Sequence, residues 1–101
     1  MTIRNDKSLQ SDDTNQDSSS VWYLYIIQTR YGHWYTGITT NVEKRFNAHV
    51  AGKGAKNLRG KGPLILIHQQ IVGNKSAASK LEYHVKKLTR AKKEAYVAKF
   101  K

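Results

Sequence analysis

At 101 residues the chain is sized for one domain with a modest core, and the absence of cysteine excludes disulfide scaffolds and thiolate metal sites. No apolar run reaches the ~18 residues that a membrane span needs, and Met1–Asp6 carries no apolar signal core, so the expectation is a cytoplasmic protein with no membrane segment. The formal net charge of +11 is uneven: residues 1–20 hold two basic and four acidic side chains, a net −2, while residues 21–101 hold sixteen basic against three acidic, a net +13. An excess of that size attracts polyanions, with nucleic acid the commonest and an anionic membrane the rival. No helix here combines a basic face with large exposed apolar residues, which disfavours the membrane.

Residues 1–20 are rich in Ser, Asp, Asn, Gln and Thr and lack aromatic residues, which predicts a disordered tail ahead of a single domain over 21–101. Val21–Gln28 is apolar and aromatic almost throughout and reads as a strand buried on both faces. Thr29–Gly32 is a turn. His33–Thr39 is a second strand, alternating Trp34, Thr36 and Ile38 against His33, Tyr35 and Gly37, and the two make a hairpin. Thr40 and Glu43 have capping-box spacing, predicting a helix to about Ala51 with Thr40 as N-cap and Gly52 as stop. Helical periodicity puts Val42, Phe46 and Val50 on the apolar stripe of this helix, with Arg45 and His49 flanking it at the boundary between core and solvent.

Gly52–Pro63 holds four glycines and four basic residues (Lys53, Lys56, Arg59 and Lys61), which predicts a mobile, phosphate-seeking loop. It lacks the Lys-Ser/Thr ending and the strand-loop-helix order of a Walker A loop. Leu64–Val72 is the third strand. Asn74 or Ser76 caps a second helix with Ala78, Leu81, Val85 and Leu88 inward and Glu82 beside that stripe, and a third helix over Ala91–Phe100 turns Tyr96, Val97 and Phe100 inward. The expected class is therefore α+β: a small three-stranded antiparallel sheet flanked by helices, in the order β-β-α-β-α-α.

Phenols on two paired strands, an arginine and a histidine one helical turn apart, and one carboxylate on a later helix suit the holding and cutting of a phosphodiester. Arg45 offers a planar, permanently charged fork for a phosphate. A single carboxylate such as Glu82 suits Mg²⁺ or Mn²⁺ completed by water and substrate oxygens, although spacing alone equally permits a surface pair with Lys86. Tyr25 and Tyr35 can hydrogen-bond phosphate or position water, and a phenol needs a nearby cation to serve as a base. Both also read as core tyrosines of half-buried strands. His49 can contact phosphate or carry a proton. Gly37 allows close approach of backbone to substrate or marks a strand irregularity. His33, His68 and His84 have no metal-ligand spacing with His49, so zinc is not expected.

The order Tyr23-Leu24-Tyr25, Tyr35-Thr36-Gly37, Arg45, His49 and Glu82 resembles the GIY-YIG nuclease superfamily. Tyr35–Thr40 together with Gly52–Lys56 resembles its small, single-domain bacterial branch, the YhbQ-like proteins. The likeness runs from Val21 to about Ala98. Tyr23 stands where the superfamily name has glycine, and a downstream asparagine of some members has no clear counterpart. The resemblance implies a metal-dependent endonuclease acting on DNA, with Tyr25 activating the water, Tyr35 orienting it, Arg45 and His49 on the phosphate, and Glu82 holding Mg²⁺ or Mn²⁺. It also implies weak sequence preference with selection by DNA structure, since larger members carry separate recognition domains for which this chain has no room. Three readings stay open: this endonuclease, as a monomer or weak dimer; a nucleic-acid-binding module (DNA, or RNA) without activity; and a basic accessory to an acidic protein.

Overall fold

The computed structural model describes residues 20–101, and the acidic tail expected over residues 1–20 lies, but for Ser20, outside the described residues. Three strands, β1 (Trp22–Gln28), β2 (Trp34–Thr39) and β3 (Ile65–Gly73), form one antiparallel sheet in the order β2-β1-β3. Helix α1 (Val42–Val50) follows β2, and α2 (Lys75–Lys86) and α3 (Arg90–Ala98) follow β3, giving the α+β order anticipated above. Among the described residues no helix is long and apolar enough to cross a membrane.

The near-continuous apolar run of β1 has its reason in this order. β1 is the central strand and is covered on both faces, so Leu24, Tyr25, Ile26 and Ile27 are each at most 1 % exposed. The register divides its side chains. Directly opposed residues share a face, so Tyr23, Tyr25 and Ile27 lie with Thr39, Gly37 and Tyr35, while Leu24 and Ile26 lie with Ile38 and Thr36. The first face packs with Val42 and Phe46 of α1 and with Leu58; the second packs with Leu81 and Val85 of α2 and Tyr96 and Val97 of α3. Each fully buried aliphatic side chain contributes on the order of 1.5–3 kcal/mol through desolvation.

Several local details depart from expectation. Helix α1 is capped by Asn41 rather than Thr40: Asn41 Oδ1 accepts from the Lys44 amide at 3.0 Å. Asn is at least as good a cap as Thr, and Thr39 Oγ1 accepts from the Asn41 amide at 3.2 Å, holding it extended. Val50, expected inside, is 59 % exposed, and His49, expected at the margin, is 2 % exposed. The Gly52–Pro63 segment is not a free loop. It contains a 3₁₀ turn at Lys56–Leu58 with Leu58 buried, and Arg30 grips its far end, its amide donating to Lys61 O at 3.0 Å and its guanidinium to Gly60 O at 3.0 Å. Helix α2 takes the Asn74 cap, whose Oδ1 accepts from the Ala77 amide at 2.8 Å. Helix α3 is capped by Thr89 and is tied to the hairpin by Arg90, which donates to Gly32 O at 2.6 Å and stacks 4.3 Å over Trp34. Phe100, expected inward, lies past the end of α3 and is 52 % exposed, its ring centroid 4.7 Å from that of His68.

Candidate active site

The site is built around the Tyr25 phenol. Tyr25 sits opposite Gly37 in the hairpin, and its ring lies over that glycine. A methyl group at position 37 would stand 2.5 Å from Tyr25 Oη and 2.6 Å from Cζ. Gly37 is therefore occupied with its own protein: the missing side chain is the space that the phenol fills. The register between β1 and β2 runs through this pair without a shift, so no strand irregularity is marked here. This packing places Oη over β2, an edge strand of the sheet.

His49 Nε2 lies 2.9 Å from Tyr25 Oη, and its Nδ1 accepts the Ala55 amide proton at 3.2 Å. With Nδ1 accepting, a neutral imidazole carries its proton on Nε2 and donates it to Oη. Burial, and then the Arg45 charge, push His49 down to about 4, so the ring is neutral at physiological pH and the tautomer is set by the Ala55 amide. This accounts for the exchange of places with Val50. Both imidazole nitrogens find partners inside, so burying the ring leaves no polar atom unmet. Gly54 makes the arrangement possible, since a side chain there would run into the His49 ring. Tyr25 Oη thus accepts from His49 and is also within hydrogen-bond reach of the Arg45 guanidinium.

The remaining candidates converge on the same phenol. Tyr35 places its ring 6.3 Å from that of Tyr25 and meets His49 edge-on at 5.6 Å. Arg45 is half-buried, one turn before His49, and its guanidinium lies against Tyr25. Glu82 belongs to α2, in the opposite layer, and its charge still acts on Tyr25. Its side chain is 23 % exposed and pairs with Lys86 at 3.2 Å, so the surface pair that spacing permitted is formed as well. Burial, and after it Tyr35, raise the Tyr25 phenol to about 12; Arg45 pulls it down, and the Glu82 carboxylate adds to the rise.

Of the basic loop residues, Lys53, Lys56 and Arg59 are exposed and Lys61 is half-buried, on the segment that closes over His49. The structure thus brings Tyr25, Tyr35, Arg45, His49 and Glu82 together, and it places Gly37 beneath them rather than at the surface. Sequence reasoning missed the second ring of the site, Gly54 and the Ala55 amide. The only signal was a glycine five residues past the histidine inside a glycine-lysine run.

Residues 21–95 match the family described as the GIY-YIG catalytic domain. The chain belongs to that family. Within it, the chain is 54% identical over 80 residues to the UPF0213 protein SG0387 of Sodalis glossinidius, covering 79% of this chain and 75% of that one. It is 53% identical over 77 residues to the UPF0213 protein YhbQ of Escherichia coli, covering 76% and 77%. The present chain is a small YhbQ-like GIY-YIG protein. Its three-stranded antiparallel sheet with three helices matches two solution NMR structures. These are the protein EF2693 from E. faecalis (TM-score 0.59, 37% identity, covering 84% of this chain and 91% of that one) and the UPF0213 protein BH0048 from Bacillus halodurans (TM-score 0.52, 45% identity, 77% and 83%). The GIY-YIG domain places the chain in a nuclease family.

Proposed function

We propose that this chain is a divalent-metal-dependent endonuclease that hydrolyses DNA phosphodiesters, with weak sequence preference and selection by DNA structure. The observation that carries the reading is the convergence on the Tyr25 phenol of groups from both layers: a donating His49, the Arg45 fork, Tyr35, and the Glu82 carboxylate.

Mg²⁺ or Mn²⁺ fits the donors present. Among the described residues no group of three or more His, Cys, Asp or Glu could cage a metal, which disfavours a protein-caged ion such as structural zinc. One partly exposed carboxylate is the donor set of an ion that keeps most of its water and takes phosphate oxygens. Glu82 would hold it, and the ion would supply charge neutralisation and polarisation of the phosphate when bound. Arg45, half-buried and with no carboxylate partner among the described residues, takes two oxygens of the scissile phosphate and stabilises the charge that builds on them. Tyr25 acts as the phenolate: after its hydroxyl proton has passed to solvent, Oη accepts a proton from the attacking water, and the His49 N–H and the Arg45 charge stabilise that phenolate. Tyr35 orients the water. Lys53, Lys56, Arg59 and Lys61 contact flanking phosphates, and Gly37 supports the site from below.

The test is Glu82→Gln, which is nearly isosteric but a far poorer ligand. Strand scission with Mg²⁺ or Mn²⁺ should be abolished while the fold and metal-free DNA binding persist. A Glu82→Gln protein that cuts at the wild-type rate ends the one-metal reading. One observation favours the alternative, a nucleic-acid-binding module without activity: even with Arg45 beside it the phenol is raised to about 12, so it stays protonated at neutral pH and is a poor base unless a metal ion assists. That alternative requires that wild-type protein cut no DNA or RNA with any divalent metal and that metal leave its affinity unchanged.

A further inference from the structure

A second basic site lies away from Tyr25, between the end of α2 and one face of α3. A cavity of about 260 Å³ there is lined by His84, Leu88, Lys92, Ala95, Tyr96 and Lys99. Residues 92, 95 and 96 of α3 and its C-cap Lys99 follow the spacing that stacks side chains on a single helical face, so Lys92 and Lys99 stand two turns apart, about 10 Å along the axis. The lining contains no carboxylate. The acidic residue of α3, Glu94, is on another face and is held by Arg90 at 2.8 Å. Neither lysine ammonium has an ion-pair partner among the described residues. Two like charges and an imidazole thus converge on a cavity without a counter-charge.

The wall between them is fixed. The Tyr96 hydroxyl donates to Gln70 Oε1 at 2.6 Å, and His68 Nε2 lies 2.7 Å from the same oxygen. The Tyr96 ring also packs against His68 at 5.9 Å and Phe100 at 5.4 Å. With its hydroxyl engaged on β3, Tyr96 presents ring rather than oxygen to the cavity, beside the aliphatic Leu88. Cations at the ends and an aromatic and aliphatic wall between them match a ligand that is anionic at one point and flat and apolar at another.

We propose that this cleft is a second, non-catalytic nucleotide site, with the phosphate drawn to Lys92 and Lys99 and the base resting on Tyr96 and Leu88. The nucleotide is either a unit of a bound polynucleotide or a free mononucleotide such as hydrolysis would release. The site does not depend on cleavage, so its test is separate from that of the endonuclease reading.

The experiment is a titration of the uniformly ¹⁵N-labelled full chain, followed by amide shifts at constant ionic strength, without divalent metal. The probes are thymidine 5′-monophosphate, an eight-nucleotide oligothymidylate, and inorganic phosphate. Nucleotide-dependent shifts at His84, Lys92, Tyr96 and Lys99 are expected. If the mononucleotide and the oligomer both produce them, the site accepts the free nucleotide; if only the oligomer does, it accepts a strand. Lys92→Gln/Lys99→Gln should weaken the response at these positions about tenfold or more while shifts near Arg45 remain. Each single variant should give a part of that loss, should the double variant not fold. No shift at the α2–α3 cleft with either nucleotide, equal shifts with inorganic phosphate alone, or shifts undiminished by losing the lysines would each overturn the assignment. A chain that cuts no DNA can still show the expected result, and an active nuclease can fail to show it.

Discussion

His49 should make the fold acid-sensitive over a window set by its own surroundings. Burial beneath the Gly52–Pro63 segment, then the neighbouring Arg45 charge, hold its imidazole at about 4 against an ordinary 6.5. Because the folded value is depressed, the native state binds fewer protons than the unfolded chain between these two values. The stability linked to His49 is therefore fully present above pH 6.5 and is lost as pH falls towards 4. A gap of about 2.5 pH units at 1.36 kcal/mol each is worth about 3 kcal/mol, with a limiting slope of about 1.4 kcal/mol per pH unit. The assay is urea unfolding of wild type and His49→Gln at intervals from pH 7.5 to 4. Glutamine cannot titrate, and groups common to both proteins cancel in the difference. The variant should be the less stable protein at pH 7.5, and the difference should shrink by about 3 kcal/mol across the window. Parallel curves for the two proteins would refute the buried, neutral, doubly bonded imidazole.

Three further outcomes follow from the geometry. Gly37→Ala puts a methyl 2.5 Å from Tyr25 Oη and should cost roughly 1–3 kcal/mol by urea unfolding while breaking the Tyr25–His49 bond; wild-type stability would mean that the ring is not confined as described. Arg45→Lys keeps the charge and loses the fork, so the cleavage rate should fall by about two orders of magnitude or more with DNA binding little changed, and wild-type cutting would make Arg45 an ordinary helix arginine. Neutralising Lys53, Lys56, Arg59 and Lys61 together should flatten the slope of log affinity against log salt by about 0.7–0.9 for each phosphate that the loop no longer neutralises, and an unchanged slope would remove the loop from the nucleic-acid surface.

The hairpin and α2 were legible because the composition of β1 and the apolar spacing of Ala78 and Val85 each have one natural reading. What misled was the assumption that polarity decides which helical residue turns inward. In α1 that rule chose Val50 over His49, since periodicity cannot register that a loop six residues on will supply an amide for Nδ1. The same blindness made Gly52–Pro63 look mobile, although Leu58 anchors it and Arg30 holds two of its carbonyls. Tyr25, Tyr35, Arg45, His49 and Glu82 were legible as a set only through the ordered motifs. The spacing of Glu82 alone suggested a pair with Lys86, and that pair exists. Its influence on Tyr25 is an interaction across the fold, which no local pattern encodes.

The double life of Tyr25 has a consequence for descent. The phenol is 1 % exposed and is a member of the core, wedged over Gly37 and bonded to a buried His49, so selection for a folded domain preserves all three whether or not the protein cuts anything. Arg45 and Glu82 are only half-buried, and neither belongs to the core. If the proposed function holds, a lineage in which cleavage stops mattering leaves these two free to drift while Tyr25, Gly37 and His49 persist as architecture. Under the proposed function, their joint presence, rather than that of the tyrosine motifs for which the family is named, would mark a member that cuts.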